Sequence, residues 1–154
     1  MLGYWNDSDA TARDLDGARW MHTGDLAEMD ESGYVRIVGR SKDMIIRGGE
    51  NIYPREIEEF LYRHPSVADA QVVGIPCDRY GEELVAWIKL RPEHPTDVET
   101  LRQFCREQIA HFKVPRHFHF VEEFPMTVTG KVQKFKMRDV SIALYCEAGE
   151  ARHS

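Results

Sequence analysis

The chain has 154 residues, of which 42% are hydrophobic and 30% charged, with a formal net charge of −6 at pH 7. This composition predicts a globular protein of one domain, or of one domain with a piece of another. It argues against a membrane-spanning helix, a signal peptide and nucleic acid as the main partner. The cysteines are well separated and form no CxxC pair, which predicts a reducing, cytoplasmic location and neither a disulfide framework nor a metal site: Cys77, Cys105 and Cys146.

The N-terminal part of the sequence has no sustained hydrophobic period. Residues 1–32 are rich in Asp, Gly and Ser, and we expect turns there with short strands over 19–22 and 26–29. The alternating segment GYVRIV predicts a further strand over 33–38. The polar segment GRSKD over 39–43 then interrupts the pattern, and we interpret it as a domain boundary.

Beyond the boundary, the sequence predicts a compact set of helices and strands. The order is strand, helix, strand, strand, helix, strand, loop, helix, with helices over 53–65, 96–111 and 135–145 and strands over 44–46, 70–75, 84–90 and 116–121. Pro54 suits the first position of the first helix, and Thr96-x-x-Glu99 predicts a capping box for the second. His117 and His119 alternate with phenylalanines, so we interpret them as the solvent face of their strand. This order predicts an α+β fold with a mainly antiparallel sheet flanked by helices.

Two glycine-containing motifs have the chemistry of ligand contacts. In Thr23-Gly24-Asp25, an ionised carboxylate can accept hydrogen bonds from both hydroxyls of a ribose, although such a triplet is most often an ordinary turn. In Arg47-Gly48-Gly49, two adjacent glycines would let a narrow ligand pass close to the backbone, or would only permit a tight turn. Arg47 fits either a phosphate partner or an ordinary surface arginine.

The stretch PMTVTGKVQKFKMR over 125–138 places Lys131 directly after a glycine. The lysine could deliver a cation to a phosphate, or the segment could be a solvated basic loop. Its spacing is not that of a phosphate-binding P-loop. The sequence also shows no nucleophile–base arrangement, so it lacks the parts of a complete active site.

Taken together, the motifs of this chain resemble the C-terminal part of the AMP-forming acyl-CoA synthetases of the adenylate-forming (ANL) superfamily. The resemblance is greatest to fatty acyl-CoA synthetases of the medium-chain type, covers nearly the whole chain and rests on the joint order of six motifs. These motifs are GYW at 3–5, HTGDLA at 22–27, GRSKDMIIRGGENIYPREIE at 39–58, DRYGEE at 78–83, HFKVP at 111–115 and PMTVTGKVQKFKMR at 125–138.

The resemblance implies a domain organisation. Residues 1–39 would be the tail end of the large N-terminal adenylation domain, 40–42 a hinge, 43–146 the small mobile C-terminal domain and 147–154 a flexible tail. The family's phosphate loop, acyl pocket and magnesium-binding glutamate have no counterpart in the sequence. We therefore expect the chain to be a fragment that is inactive alone.

The resemblance also implies a two-step reaction for the full enzyme. A fatty acid reacts with ATP, in the presence of Mg²⁺, to give acyl-adenylate and pyrophosphate. After the small domain rotates, the thiol of CoA attacks the adenylate and gives acyl-CoA and AMP. By matching motif positions, the resemblance assigns Lys131 to catalysis of the first step, Asp25 and Arg40 to nucleotide binding, Lys42 to the hinge, and Arg47, Gly48 and Gly49 to the pantetheine passage.

Other functions remain open at this point. The chain could be a piece of a peptide-synthetase adenylation domain or of a luciferase-like enzyme. It could also be a non-catalytic module that binds a nucleotide or CoA, or a domain whose motif residues only maintain the fold. Lys134, Lys136 and Arg138 have no assigned role, and we interpret them as a solvated face with at most a weak attraction for phosphates.

Overall fold

The computed structural model describes residues 1–147 and divides the chain into two compact units, Met1–Lys42 and Asp43 onward. The flexible tail predicted over 147–154 lies, apart from the backbone of Glu147, outside the described residues. Within the described part, no helix is long and apolar enough to cross a membrane. The same part contains no cluster of three or more His, Cys, Asp or Glu side chains placed to hold a metal ion.

The first unit contains α1 (Ser8–Asp14), β1 (Asp25–Met29) and β2 (Val35–Arg40). The strands predicted over 26–29 and 33–38 are present, and they pair in antiparallel fashion. The prediction of a strand over 19–22 is wrong, because this segment forms only an isolated bridge between Leu15 and Met21.

Helix α1 was not expected from the sequence. It is capped by Asp7, whose carboxylate accepts a hydrogen bond of 2.8 Å from the backbone N–H of Ala10. The helix is only seven residues long and buries none of them. It therefore carries no hydrophobic stripe, which is the main sequence signal of a helix.

Over its described residues, the second unit is an α+β fold with three α-helices and one sheet. In chain order its elements are β3 (Ile45–Arg47), β4 (Glu50–Ile52), α2 (Pro54–Leu61), β5 (Val67–Cys77), β6 (Gly81–Leu90), α3 (Val98–Gln108), β7 (His117–Phe120) and α4 (Lys134–Ile142), with a π-helical turn (Ala143–Glu147) after α4. The strand order is β4-β3-β6-β5, all antiparallel, and β7 pairs with β6 in parallel. The predicted mainly antiparallel α+β architecture is confirmed.

Strand β4 is the element of this unit that the sequence did not predict. It forms a hairpin with β3 through Gly48 and Gly49, whose φ angles are +60° and +87°. Two positive φ angles are what a two-residue type I′ hairpin turn requires, and glycine adopts them without strain. With only three residues and one of them buried, β4 shows no period of its own.

The sheet is covered on both faces, and each face has its own apolar core. One core joins α2 and α3 to the sheet, with Leu61, Leu101 and Cys105 fully buried. The other joins α4 to the opposite face through Met137 and Trp87. Burial on both sides explains why the central strands are almost continuously apolar.

The predicted capping box of α3 is wrong in its first residue. The N-cap is Asp97 rather than Thr96, and Oδ1 of Asp97 accepts a hydrogen bond of 2.7 Å from the backbone N–H of Thr100. This hydrogen bond favours the ionised carboxylate and lowers the pKa of Asp97. Asp serves as an N-cap at least as well as Thr does, and here it lies one residue closer to the helix.

The interpretation of His117 and His119 as a solvent face is also wrong. Both side chains are half-buried: the His117 ring stacks on Tyr145 with centroids 4.3 Å apart, and the His119 ring lies 4.5 Å from that of Trp87. The π-helical turn after α4 supplies Tyr145 and covers this face of the strand. Burial disfavours the charged imidazoles and lowers both pKa values.

Candidate functional site

The predicted nucleotide-binding residues Asp25 and Arg40 lie together in the first unit. They are cross-strand partners at the end of the β1–β2 hairpin, with Nε of Arg40 3.3 Å from Oδ1 of Asp25. Gly24 adopts a φ of +75° just before the aspartate, and the N–H of Asp25 donates to Oγ1 of Thr23. Arg40 engages one carboxylate oxygen, and an ionised carboxylate has two, so this pair can orient Asp25 while leaving it able to accept from a hydroxyl.

The predicted hinge residue Lys42 is exposed and ends the first unit. It lies in a short 3-10 helix, Ser41–Asp43. The backbone N–H of Ser41 donates a 2.9 Å hydrogen bond to the carbonyl of Gly24. The segment that carries Lys42 therefore starts from a point fixed to the aspartate motif.

The glycine hairpin presents exposed backbone at the edge of the second unit. The N–H of Gly48 donates a 2.8 Å hydrogen bond to the carbonyl of Tyr80, which holds the turn against the start of β6. No atom lies within 4 Å of the position that a Cβ would take at Gly49. Gly49 is therefore needed for its backbone conformation, and the space beside it is open to a ligand.

Arg47 is not the surface arginine that the sequence allowed. Its side chain is 13% exposed and faces Glu83, which is 3% exposed. Nη2 of Arg47 donates a hydrogen bond of 3.1 Å to Oε2 of Glu83, and Nη1 donates one of 2.7 Å to the carbonyl of Phe112. Nε lies 2.7 Å from Oε1 of Glu83, but it lacks the alignment of a hydrogen bond. Arg47 therefore ties the base of the glycine hairpin to β6 and to the segment after α3.

Lys131 lies on a small hydrogen-bonded hairpin. Thr127 and Lys131 are joined by two hydrogen bonds, from the Thr127 N–H to the Lys131 carbonyl at 2.8 Å and from the Lys131 N–H to Thr127 Oγ1 at 3.1 Å. Gly130 has a φ of +78°, as the last residue of a three-residue hairpin loop requires. The segment is thus an ordered turn that exposes the Lys131 side chain.

The basic residues after Lys131 are not a uniform solvated face, and Lys134, which is half-buried, corrects that interpretation. Nζ of Lys134 lies 2.7 Å from Oε1 of Glu58 in α2, and Arg138 pairs with Glu82 at 3.2 Å. Lys136 and Arg138 fit the expectation, since both are exposed. The sequence analysis did not predict the ion pair of Lys134. A lysine at the first position of a helix opposes the helix dipole, and this unfavourable placement was a signal that Lys134 has an acidic partner.

The structure thus brings some predicted site residues together and leaves others apart. Asp25 meets Arg40, and Arg47 shares a hairpin with its two glycines. Within residues 1–147, no hydrogen bond or ion pair joins Lys131 to the glycine hairpin. The second unit therefore presents two separate features, an exposed lysine and an exposed glycine turn.

Comparisons with known proteins show which family the chain is similar to. Residues 56–131 match the family model of the AMP-binding enzyme C-terminal domain. The chain is 53% identical to YngI of Bacillus subtilis, named as an acyl-CoA synthetase, over 94% of this chain and 26% of that protein. It is 55% identical to the mitochondrial medium-chain acyl-CoA ligase ACSF2 of Rattus norvegicus, over 90% of this chain and 23% of that protein.

A solved structure shows the same fold. The ATP-bound structure of MatB from Rhodopseudomonas palustris superposes with a TM-score of 0.86 at 35% identity, over 93% of this chain and 28% of that one. The chain thus spans about a quarter of the length of the proteins it matches. It corresponds to the C-terminal AMP-binding domain of the adenylate-forming acyl-CoA synthetases.

Proposed function

We propose that the chain is the C-terminal part of a fatty acid–CoA ligase that makes acyl-adenylate from a carboxylic acid and ATP, and then acyl-CoA. The observation that supports this most strongly is Lys131, exposed on an ordered hairpin at the end of the family-matched region. The substrates are ATP, CoA and a fatty acid, with Mg²⁺ required as in the resembled family. Because the rat relative is named a medium-chain ligase, we place the fatty acid in that class.

In the first step, Lys131 stabilises the charge that develops as the substrate carboxylate attacks the α-phosphate of ATP. Negative charge then spreads over the carboxylate, the phosphate and the leaving pyrophosphate. A lysine ammonium has three donors and is compact, so it can contact two of these groups at once. Removing such a preorganised donor typically lowers the rate by about 10²–10³.

The nucleotide itself is held by the first unit. Asp25 accepts hydrogen bonds from the ribose hydroxyls, and Arg40 orients its carboxylate. Both side chains are partly exposed, at 31% and 59%, so a ligand can reach them.

In the second step, the small domain rotates about Lys42 and presents the glycine hairpin to CoA. The open space beside Gly49 leaves room for the narrow pantetheine chain to pass along the backbone. Arg47 holds the hairpin in place through its ion pair with Glu83 of β6. Using one mobile domain for both steps lets Lys131 and the hairpin act in turn.

We also propose a cytoplasmic location for the protein, although the rat relative is named mitochondrial.

Reconstitution tests this function. A chimera is made in which this chain replaces the matching C-terminal quarter of the Bacillus subtilis relative, and acyl-adenylate is assayed with ATP and a medium-chain fatty acid. The chimera should form acyl-adenylate and acyl-CoA, whereas this chain alone and the truncated relative alone should form neither. An inactive chimera that is folded by circular dichroism would contradict the proposal.

Calorimetric titration separates this proposal from a free-standing binding module. The chain alone, which holds one part of the site, should bind AMP and CoA weakly at best. Tight binding of either ligand by the chain alone would favour a non-catalytic nucleotide- or CoA-binding module instead.

A further inference from the structure

We propose that Lys134 and Glu58 are positioning residues for the adenylation step. Their ion pair fixes where α4 begins, and thereby the direction of the hairpin that carries Lys131. This inference rests on the proposed function, since it assigns the pair a role relative to the lysine of that reaction.

The pair connects three elements of the second unit at one point. Nζ of Lys134 lies 2.7 Å from Oε1 of Glu58 and 3.4 Å from the carbonyl of Val72. The same Oε1 accepts a 2.8 Å hydrogen bond from the N–H of Val72. The side chains of Lys134 and Glu58 are 25% and 12% exposed. The first residue of α4 is thus tied to the interior of α2 and to the backbone of β5.

The N-terminus of α4 lacks the usual stabilising side chains of a helix start. Its N-cap residue, Gln133, makes no side-chain capping hydrogen bond, and the first turn contains no acidic residue. Lys134 and Lys136 put positive charge at the positive end of the helix dipole, which is unfavourable without a partner. The apolar anchor of the helix, Met137, lies a turn further on. The charge of Glu58 offsets this unfavourable start.

The pair lies close to Lys131 along the chain and through hydrogen bonds. Lys134 follows Lys131 by three residues. Between them, the N–H of Gln133 donates a 2.8 Å hydrogen bond to the carbonyl of Pro125, which closes the base of the hairpin. A shift of the first residue of α4 would therefore move that base, and the Lys131 side chain with it.

Stability alone does not require an ion pair at this place. Well-packed apolar residues often stabilise a fold as well as a buried ion pair does. A charge-assisted hydrogen bond adds a defined direction and length. Such definition matters for a catalytic group, because a misplacement of about 1 Å can lower a rate by about 10²-fold.

The first test uses the chain as it stands. Amide hydrogen exchange is measured by NMR in wild type, Lys134→Met, Glu58→Gln and the matched control Lys136→Met. In the first two variants, exchange of the Lys131 and Gln133 amides should accelerate about tenfold, while the amides of β6 keep their protection. The control should exchange as wild type does. Equal exchange in Lys134→Met and Lys136→Met would overturn the inference.

The second test uses the chimera and separates the two half-reactions. Lys134→Met should lower kcat of acyl-adenylate formation about 10- to 100-fold with an unchanged KM for ATP. Formation of acyl-CoA from supplied acyl-adenylate should stay as in wild type. Lys134→Arg, which keeps the charge, should restore most of the lost rate, and Lys136→Met should change neither half-reaction.

A merely structural role predicts a different pattern. In that case Lys134→Met would lower both half-reactions together and reduce protection throughout β6, and the inference would be wrong. Should the wild-type chimera form no acyl-adenylate, the proposed function itself fails. The exchange comparison in the chain then still decides whether the pair holds the hairpin.

Discussion

Replacement of Arg47 by methionine tests whether the ion pair of this residue with Glu83 stabilises the folded second unit. The substitution keeps most of the side-chain length and removes the charge. It leaves Glu83, with a side chain 3% exposed, without its main partner. It also removes the donor that the carbonyl of Phe112 accepts at 2.7 Å.

The magnitude follows from these contacts. Removing one partner of a buried ion pair costs about 3–5 kcal/mol. Arg116 stays near Glu83, but at 3.9 Å and with a side chain 60% exposed, so it compensates little. The lost hydrogen bond to Phe112 adds about 1 kcal/mol. We therefore expect Arg47→Met to lower the free energy of unfolding by about 4–6 kcal/mol, a large part of the stability of a small domain.

Urea unfolding followed by tryptophan fluorescence provides the assay. Trp87 is 5% exposed in the folded second unit, whereas Trp5 and Trp20 are 98% and 74% exposed. The emission change therefore reports mainly the unfolding of the second unit. The variant Arg47→Met/Glu83→Leu, which removes both charges, should recover more than half of the loss.

A surface ion pair supplies the matched control. Arg55 lies 2.8 Å from Glu59, with both side chains about half exposed. Arg55→Met should change the free energy of unfolding by less than about 0.5 kcal/mol. If Arg47→Met and Arg55→Met were equally mild, or if the double variant were less stable than Arg47→Met, the reasoning about the buried pair would be refuted.

Three further predictions concern the nucleotide contact, the glycine turn and the buried histidine. Asp25→Ala in the chimera should raise the KM for ATP at least about tenfold in steady-state assays, because charge-assisted hydrogen bonds to the ribose are lost; an unchanged KM would count against the assignment. Gly49→Ala should destabilise the chain by about 1–2 kcal/mol through strain at a φ of +87°, and Gly49→Asn by less, as thermal unfolding will show. Burial lowers the pKa of His64, so the unfolded chain binds the extra proton and stability should fall as the pH drops below about 6.5; urea titrations at different pH values should show a weaker dependence in His64→Gln.

The long elements of the second unit could be predicted because buried strands and helices show a recognisable pattern of apolar residues in the sequence. Strand β6 buries every residue from Leu84 to Ile88 and reads as a continuous apolar run. Helix α2 begins at Pro54, as expected, and buries Ile57 and Leu61 on one face. Helix α1 buries none of its residues and the three-residue strand β4 buries only one, so hydrophobic periodicity could not reveal them.

The candidate site was predictable only in part. The residue types of Asp25 and Lys131 were compatible with ligand contacts, but the resemblance was needed to choose those roles over ordinary turns. The pair of Lys134 with Glu58 joins residues 76 positions apart, and each also fits its own helix as an ordinary surface residue. Arg47 and Glu83 are likewise distant in sequence. Only the packing of α4 and β3 against the rest of the unit brings such partners together.

The most direct test of the central claim is the adenylation rate of the Lys131→Ala chimera, measured separately from thioester formation. The account predicts that acyl-adenylate formation falls by about 10²–10³. Conversion of supplied acyl-adenylate to acyl-CoA should continue at the wild-type rate, and Lys136→Ala should affect neither step. A Lys131→Ala enzyme that forms acyl-adenylate at the wild-type rate would contradict the role given to this lysine.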